Sequence, residues 1–347
     1  MNNKKVLIIR LSAMGDVIFT IPLANALKSD GYEVSWLVGD KGIDLIKNNP
    51  AVDETIYISE KENKRRNIFQ KLIFYIKTIN YIRSKNFDIA IDTQGLLKTF
   101  IWTRFCGAKR RIVSKSAREG AVLGGNEIIE KLYTGWDTHV TSDYLKFAKH
   151  IGIAVTEPKI TLPSPEEETV KKIDKLLKNI DRTQPVIVIS PATTWANKHW
   201  DKDNWKLLIE RIKDKYTIIY TGTNDDKDLI SYISQGAGLN LAGKTNVAEL
   251  CELFRRTDLV ISLDSGSTHL AWGTQIPKII SIFCCTPKTR YAPIDYTSSA
   301  NNCKYIALSG NLPCQPCHKK KCSLGTNACT RHPSVEDVLN AIGKLMD

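Results

Sequence analysis

The chain alternates short, purely apolar runs with longer stretches in which apolar positions recur every three or four residues. Val6–Ile9 is the first such run, and its lack of polar residues fits a strand covered on both faces. Ser12-Ala13-Met14-Gly15-Asp16 follows as a small-residue turn. A helical pattern then runs over Val17–Ser29, and Gly31 stops it. Tyr32–Val38 reads as the next strand. Strand, turn, helix and strand make a βαβ unit, which requires a parallel sheet. Further strands are expected at Glu54–Ile58, Asp88–Asp92 and Arg111–Val113.

Between them, about Asn63 to Ser84, lies one long helical pattern with Ile68, Phe69, Leu72, Ile73, Tyr75, Ile76, Ile79 and Ile82 among its apolar positions. Lys64, Arg65, Arg66, Lys71, Lys77, Arg83 and Lys85 crowd around it. One reading is a surface helix with a core face and a solvated basic face. The other is a helix that touches an anionic membrane surface or glycolipid.

Leu162-Pro163-Ser164-Pro165 cannot lie inside a regular element, so it is read as the link between an N-terminal domain, 1–165, and a C-terminal domain, 166–347. Glu166–Asn179 reads as a charged helix. A second α/β unit opens at Pro185–Ile189, with later strands at Thr217–Tyr220, Leu239–Leu241, Leu259–Ser262 and Lys278–Phe283. A closing helix is expected over Val335–Leu345, capped by Ser334. The expected fold class is α/β, with two Rossmann-like domains.

With 347 residues, each half can bury its own core. Val186–Ile189 and Lys278–Cys285 are far shorter than the roughly 20 residues of a spanning helix. The apolar start at Val6–Ile9 is too short for a signal-peptide core, so a cytoplasmic location is expected. The net charge is +12, of which +8 falls up to Pro165 and +4 after it. This balance suits an anionic partner, whether nucleic acid, anionic lipid or a phosphorylated substrate.

Four places could carry chemistry. The first is the Ser12–Asp16 turn at a strand end, where ligands collect in open α/β sheets. Gly15 would let the backbone turn, and Asp16 would sit at the start of a helix, where a carboxylate is also a plain helix stabiliser. The absence of G-x-G-x-x-G argues against a nicotinamide or flavin cofactor. The second is Ser190–Trp200: Thr193, Thr194 and Lys198 suit phosphate oxygens, whereas Trp195 and Trp200 are read as core plugs. The third is Ser262–His269, where Ser265, Gly266 and Ser267 would offer backbone N–H groups at a helix N-terminus. Asp264 could orient those loops or bind a sugar, and His269 reads more as a structural hydrogen-bonding group than as a base.

The fourth is the Cys-rich tail segment, 303–332, with Cys314, Cys317, Cys322 and Cys329 spaced by two, four and six residues. Nine cysteines in a chain without a secretory signal argue against a disulfide framework. A structural zinc and a set of free thiols both remain open. Cys106, Cys251, Cys284, Cys285 and Cys303 read as core or free residues.

These sites occur in a familiar order. Met14-Gly15-Asp16-Val17 with Pro22, Asp92-Thr93-Gln94-Gly95-Leu96-Leu97-Lys98, Ala192-Thr193-Thr194 with Lys198-His199-Trp200, and Asp264-Ser265-Gly266 with His269-Leu270-Ala271 together resemble glycosyltransferase family 9, the ADP-heptose:lipopolysaccharide heptosyltransferases. The resemblance runs from Lys4 to about Pro293. It implies the GT-B fold, with two Rossmann-like domains facing a central cleft, the acceptor on the N-terminal half and the nucleotide sugar on the C-terminal half.

The resemblance also implies roles. Asp16 is the general base. Gly15, Gln94, Lys98 and Arg118 lie on the acceptor side. Thr193, Thr194, Lys198, Asp264, Ser265, Gly266 and His269 lie on the donor side, with Asp226 near the nucleotide ribose. The reaction is then an inverting transfer of heptose from ADP-heptose to the Kdo–lipid A inner core, with no cofactor needed for catalysis. The expected partners are that donor, that glycolipid and the anionic inner face of the inner membrane, to which the enzyme would bind peripherally; no nucleic acid is expected. The 92–96 and 193–200 elements look most like the heptosyltransferase I branch, whereas the Cys-rich tail looks like other members. The alternatives are another sugar or acceptor within the family, or a nucleotide-sugar epimerase of similar shape.

Overall fold

A computed structural model describes residues 4–133, 135–155, 158–294 and 304–346. The chain divides into two units, 1–164 and 165–347. Unit one contains β1 (Lys5–Ile9), α1 (Met14–Ser29), β2 (Glu33–Gly39), α2 (Ile43–Ile46), β3 (Glu54–Ile58), α3 (Glu60–Arg65), α4 (Ile68–Ser84), β4 (Ile89–Asp92), α5 (Leu97–Phe105), β5 (Arg110–Ser114), β6 (Glu127–Ile129) and α6 (Val140–His150). Unit two contains α7 (Glu167–Leu176), β7 (Val186–Ser190), α8 (Lys202–Ile212), β8 (Thr217–Tyr220), α9 (Lys227–Ser234), β9 (Leu239–Asn240), α10 (Val247–Arg255), β10 (Leu259–Leu263), α11 (Gly266–Thr274), β11 (Lys278–Phe283), α12 (Lys288–Tyr291), β12 (Tyr305–Ser309) and α13 (Val335–Met346).

Each unit is built on a six-stranded parallel sheet, ordered β3-β2-β1-β4-β5-β6 and β12-β11-β10-β7-β8-β9. Counted from its own first strand, each sheet has the order 3-2-1-4-5-6 of a doubly wound dinucleotide-binding fold. The α/β, two-Rossmann-domain expectation is met. The reason lies in the runs themselves: Val6–Ile9 and Val186–Ile189 are wholly buried, as central strands under helices on both faces must be.

Register then places the loops. Ile9 lies beside Leu37 and Asp92, so the loop after β1 adjoins the loop after β4. Ser190 lies beside Ser262, so the loop after β7 adjoins the loop after β10. These are the points where the strand order reverses, and there the carboxyl ends of parallel strands leave a crevice for ligands.

Several expectations are corrected. The single helix over Asn63–Ser84 is two helices, α3 and α4. Asn67 caps α4 with its side chain on the Gln70 N–H while Gln70 reaches back to the Asn67 N–H, and this capping box starts a new helix. Of the α4 apolar residues only Ile82 is buried, so most of that face points to solvent. Helix α1 begins at Met14, which puts Gly15 inside its first turn and not in the preceding loop. Strands β6 and β12 had no clear sequence signal: β6 has three residues, and β12 is half-exposed throughout. Ser334 does cap α13, through reciprocal bonds with Asp337. Among the described residues no helix is long and apolar enough to cross a membrane.

Candidate active site

In unit one the loops after β1, β4 and β5 meet. Asp16 stands in the first turn of α1, with its side chain 39% exposed. Arg10, at the end of β1, ion-pairs with it at 2.6 Å, and Arg10 itself is only 6% exposed. Tyr144 from α6 donates its hydroxyl to Asp16 at 3.2 Å and accepts from Arg10 at 3.0 Å. Arg10 also donates to the Thr93 carbonyl. Burial works against the Arg10 charge, but Tyr144, Asp16 and Asp92 outweigh it and raise its pKa. Asp16 is therefore clamped from below by a buried cation while its outer surface faces solvent, a geometry suited to accepting a proton from a bound hydroxyl.

The second element, Asp92–Lys98, is mostly loop construction. Asp92 is buried, and burial raises its pKa. Its carboxylate accepts from the Gln94 and Gly95 N–H groups, both at 2.9 Å, and from the Thr103 hydroxyl at 3.1 Å. Gly95 has φ +60°, and a Cβ there would come within 2.9 Å of the Ala117 Cα, so only glycine fits. Gln94 accepts from the Leu11 N–H at 2.8 Å and donates to the Ser12 hydroxyl at 3.3 Å. Lys98 donates to Ser12 at 2.7 Å and pairs with Glu60 at 2.9 Å. Gln94 and Lys98 thus brace the β1–α1 loop rather than stand open. The Arg118 backbone N–H bonds to Gly95, and its side chain is exposed beside this loop.

In unit two the loops after β7 and β10 meet. Asp264 is buried, and Lys198 pairs with it at 2.7 Å with 15% of the lysine side chain exposed. His269, buried in α11, lies 3.7 Å from the same carboxylate. Burial alone would raise the Asp264 pKa, but Lys198 and His269 hold it below the ordinary value. Thr193 donates to the Asp264 carbonyl at 3.3 Å, and His199 lies 2.8 Å from the Thr193 carbonyl, so the two loops are laced together. Ser265 precedes α11, and its hydroxyl is buried without a hydrogen-bond partner. The N–H groups of the first α11 turn, at Gly266 and beyond, lie next to it, as a phosphate site requires. Thr194 is exposed on the same loop.

Other placements differ from expectation. Trp200 is a core plug, as read, but Trp195 is only half-buried and lies under Lys198, 4.7 Å from the ammonium. Asp226 sits after β8, and its carboxylate accepts from the Thr223 N–H at 2.6 Å and hydroxyl at 2.8 Å, which makes it a turn cap first.

The four tail cysteines lie near one another: burial raises the Cys329 pKa, and Cys317, Cys314 and Cys322 add to that rise. Among the described residues no three His, Cys, Asp or Glu side chains group closely enough to hold a metal ion. The cysteines lie in different environments. Cys314 is exposed, Cys329 is packed in the core, and backbone N–H groups from Asn327 and its neighbours lower the Cys322 pKa. Of the cysteines read as core or free, Cys106, Cys251, Cys284 and Cys285 are buried, while Cys303 lies outside the described residues. Burial, reinforced by neighbouring Cys317 and Cys329, pushes Cys285 up to about 12.

Sequence reading missed two features. Arg10 ended an apolar run and drew no further notice, although a charged residue on a buried strand nearly always has a partner. The tail also folds back on the donor loop: the His318 N–H bonds to the Cys285 carbonyl at 2.8 Å, Asn197 to the Lys319 carbonyl, and Gln315 to the Cys284 carbonyl. His318 packs 5.5 Å from the Trp195 ring, and Lys320 lies 5.7 Å from it, so the tail adds an aromatic wall and a second cation beside Lys198. A separate cavity of about 470 Å³ lies at the amino ends of β8 and β9, lined by Asp181, Thr217 and Gly238. None of the residues above borders it.

Comparison with known proteins gives the family and the fold. The sequence profile of glycosyltransferase family 9 (heptosyltransferase) matches residues 75–328, well over half the chain. The chain is 27% identical over 301 residues to the lipopolysaccharide core heptosyltransferase OpsX of Haemophilus influenzae, covering 84% of this chain and 82% of that one. It is 25% identical over 347 residues to lipopolysaccharide heptosyltransferase 1 of Pseudomonas aeruginosa, covering 96% and 89%. The structure of Escherichia coli heptosyltransferase WaaC with ADP superposes with a TM-score of 0.71 at 20% identity, covering 98% and 99%, which shows a shared fold.

Proposed function

This chain belongs to glycosyltransferase family 9, and we propose that the sugar it moves is a heptose, taken from ADP-heptose and placed on the Kdo-bearing inner core of a lipopolysaccharide precursor. The observation that carries this reading is positional. The polar residues singled out in both units stand at the carboxyl ends of parallel strands, around the two points where strand order reverses. The names of the similar proteins supply the sugar and the pathway: a core heptosyltransferase and a heptosyltransferase 1, with ADP bound in a protein of the same fold.

The chemistry follows from the two sites. Asp16 removes the proton of the acceptor hydroxyl as that oxygen attacks the anomeric carbon. The bond to the ADP β-phosphate oxygen breaks on the opposite face, so the configuration inverts. The departing diphosphate gathers negative charge. Lys198 has N–H bonds beyond the one given to Asp264, and the Ser265 hydroxyl and the α11 N-terminus add fixed donors. This reading needs no cofactor, because those groups meet the leaving-group charge. Arg118, exposed beside the acceptor loops that Lys98 braces, gives them a cationic edge suited to carboxylates and phosphates. A glycolipid acceptor places the enzyme at the inner face of the inner membrane.

The test is ADP release from ADP-heptose with and without Kdo₂-lipid A. Release that depends on the acceptor supports the reading. Release without any acceptor supports hydrolysis or epimerisation instead. Donor binding with no release on this acceptor moves the assignment to another acceptor within the family.

A further inference from the structure

Helix α4 turns its apolar face outward. Ile68, Phe69, Leu72, Ile73 and Ile76 are 78%, 75%, 57%, 53% and 50% exposed. At about 100° per residue they share an arc of about 140° over the first turns of the helix. The rest of the circumference does the packing: Tyr75 stacks on Trp102 of α5 at 5.1 Å, Phe74 meets the same ring edge-on, and Ile82 is fully buried. On α5, which packs against α4, Leu97 and Phe105 are exposed as well. Contiguous apolar surface of this kind marks an interaction site.

The surrounding charge identifies the partner. Residues 60–85 carry eight Lys or Arg against two Glu, and Lys64, Arg65, Lys77 and Arg83 are exposed. In a twofold interface between two copies these cations would face their own kind. A sheet of anionic headgroups over an apolar interior satisfies both features at once.

We propose that α4 docks unit one on an anionic bilayer, with the Ile68–Ile76 arc in the headgroup–acyl boundary and the cations on lipid phosphates. Helix α3, just before α4, is tied to the catalytic loop. Glu60, at the start of α3, pairs with Lys98, and Lys98 in turn bonds to Ser12, four residues before Asp16. Docking therefore brings the acceptor loops to the headgroup level. The contact itself is independent of the reaction; its purpose rests on the glycolipid acceptor proposed above.

Flotation of the full chain with phosphatidylcholine vesicles, and with vesicles of equal parts phosphatidylcholine and phosphatidylglycerol, tests this. The wild type should float with the anionic vesicles, and less so in high salt. Phe69→Asp with Ile73→Asp should lower partitioning at least about tenfold, and Arg65→Glu with Lys77→Glu by about as much. Both variants change exposed residues and should unfold at the wild-type temperature. Each should also keep wild-type ADP release with a water-soluble, deacylated acceptor while losing it with vesicle-embedded acceptor. Equal binding to neutral vesicles, no binding at all, or unaltered binding by the Phe69/Ile73 variant would each overturn the proposal. So would a wild-type dimer, seen by sedimentation, that the same variant dissolves. Should the wild type bind vesicles as expected but turn over neither acceptor, docking stands and the proposed reaction is what fails.

Discussion

The two units share one strand order but load their sites in opposite ways. In unit one the cation of the central ion pair is the buried member: Arg10 is 6% exposed and Asp16 39%. In unit two the carboxylate is the buried member: Asp264 is 5% exposed and Lys198 15%. The outward partner is the one that can meet a substrate. One unit therefore presents a carboxylate, able to take a proton, and the other presents an ammonium, able to hold an anion. Each inward partner mainly fixes the geometry of the outward one. In the reaction proposed above, the same fold supplies base chemistry from one unit and leaving-group chemistry from the other by reversing which charge lies deeper.

The largest effect should come from the outward carboxylate. Asp16→Asn keeps the shape and, through its one carbonyl oxygen, one of the two contacts that Arg10 and Tyr144 donate to the carboxylate, but loses most of the basicity. We expect kcat to fall about 100- to 10,000-fold, with donor affinity within about twofold of the wild type. Isothermal titration with ADP and the ADP-release assay measure the two quantities. A large loss of ADP affinity would break the division of labour between the units.

Lys198→Met should be next. Removing the outward cation weakens leaving-group stabilisation, by about 100-fold in kcat/KM on the scale of one lost transition-state donor. It also strands Asp264 in the interior, which should lower unfolding stability by about 3 kcal/mol. The two effects can be separated by adding Asp264→Asn. The double variant should recover much of the stability, read by urea unfolding, and none of the activity. Recovery of both would make Lys198 a structural counter-ion only.

Ser265→Ala gives a finer reading of unit two. The hydroxyl is buried and unpartnered, so its removal should leave stability unchanged or slightly higher. As a donor to diphosphate it should nevertheless be worth about tenfold in kcat/KM. Unchanged kinetics would take it out of the phosphate site.

Much of this was legible before the structure. The apolar runs gave the parallel strands because a strand covered on both faces has no room for polar residues, and the loops after β1, β4, β7 and β10 were marked by their small and polar residues. What the sequence could not show was depth. Nothing in the local pattern says that Arg10 is buried under Asp16, since Tyr144, which completes that clamp, comes 128 residues after Asp16. Nor does spacing reveal that the tail around His318 covers Trp195, a contact made across more than 100 residues. Helix α4 stayed open between two readings for a different reason. Its periodicity is real, but periodicity reports that two faces differ and not which one meets the core.

A pair with both members exposed sharpens the comparison from the other side. Glu127 on β6 bonds to Arg110 at 2.6 and 2.8 Å and to His150 of α6 at 3.1 Å, with the Glu127 and Arg110 side chains 29% and 42% exposed. The Arg110 hydrogen bonds, helped by the bond to His150 and by the charges of both, lower the Glu127 pKa to about 2 against the opposing cost of burial. A depressed carboxylate pKa stabilises the fold above the unfolded-state value, near 4.3, and that contribution is lost as pH falls toward about 2. Solvent screens an exposed pair, so Glu127→Gln should cost only about 0.5 kcal/mol at pH 7. The gap between variant and wild type in urea unfolding should persist from neutral pH down to about pH 5. It should then close on further acidification, with ADP release at neutral pH unaltered. If instead Glu127→Gln proved as damaging as Lys198→Met, depth would not be what separates the working charge pairs from the rest.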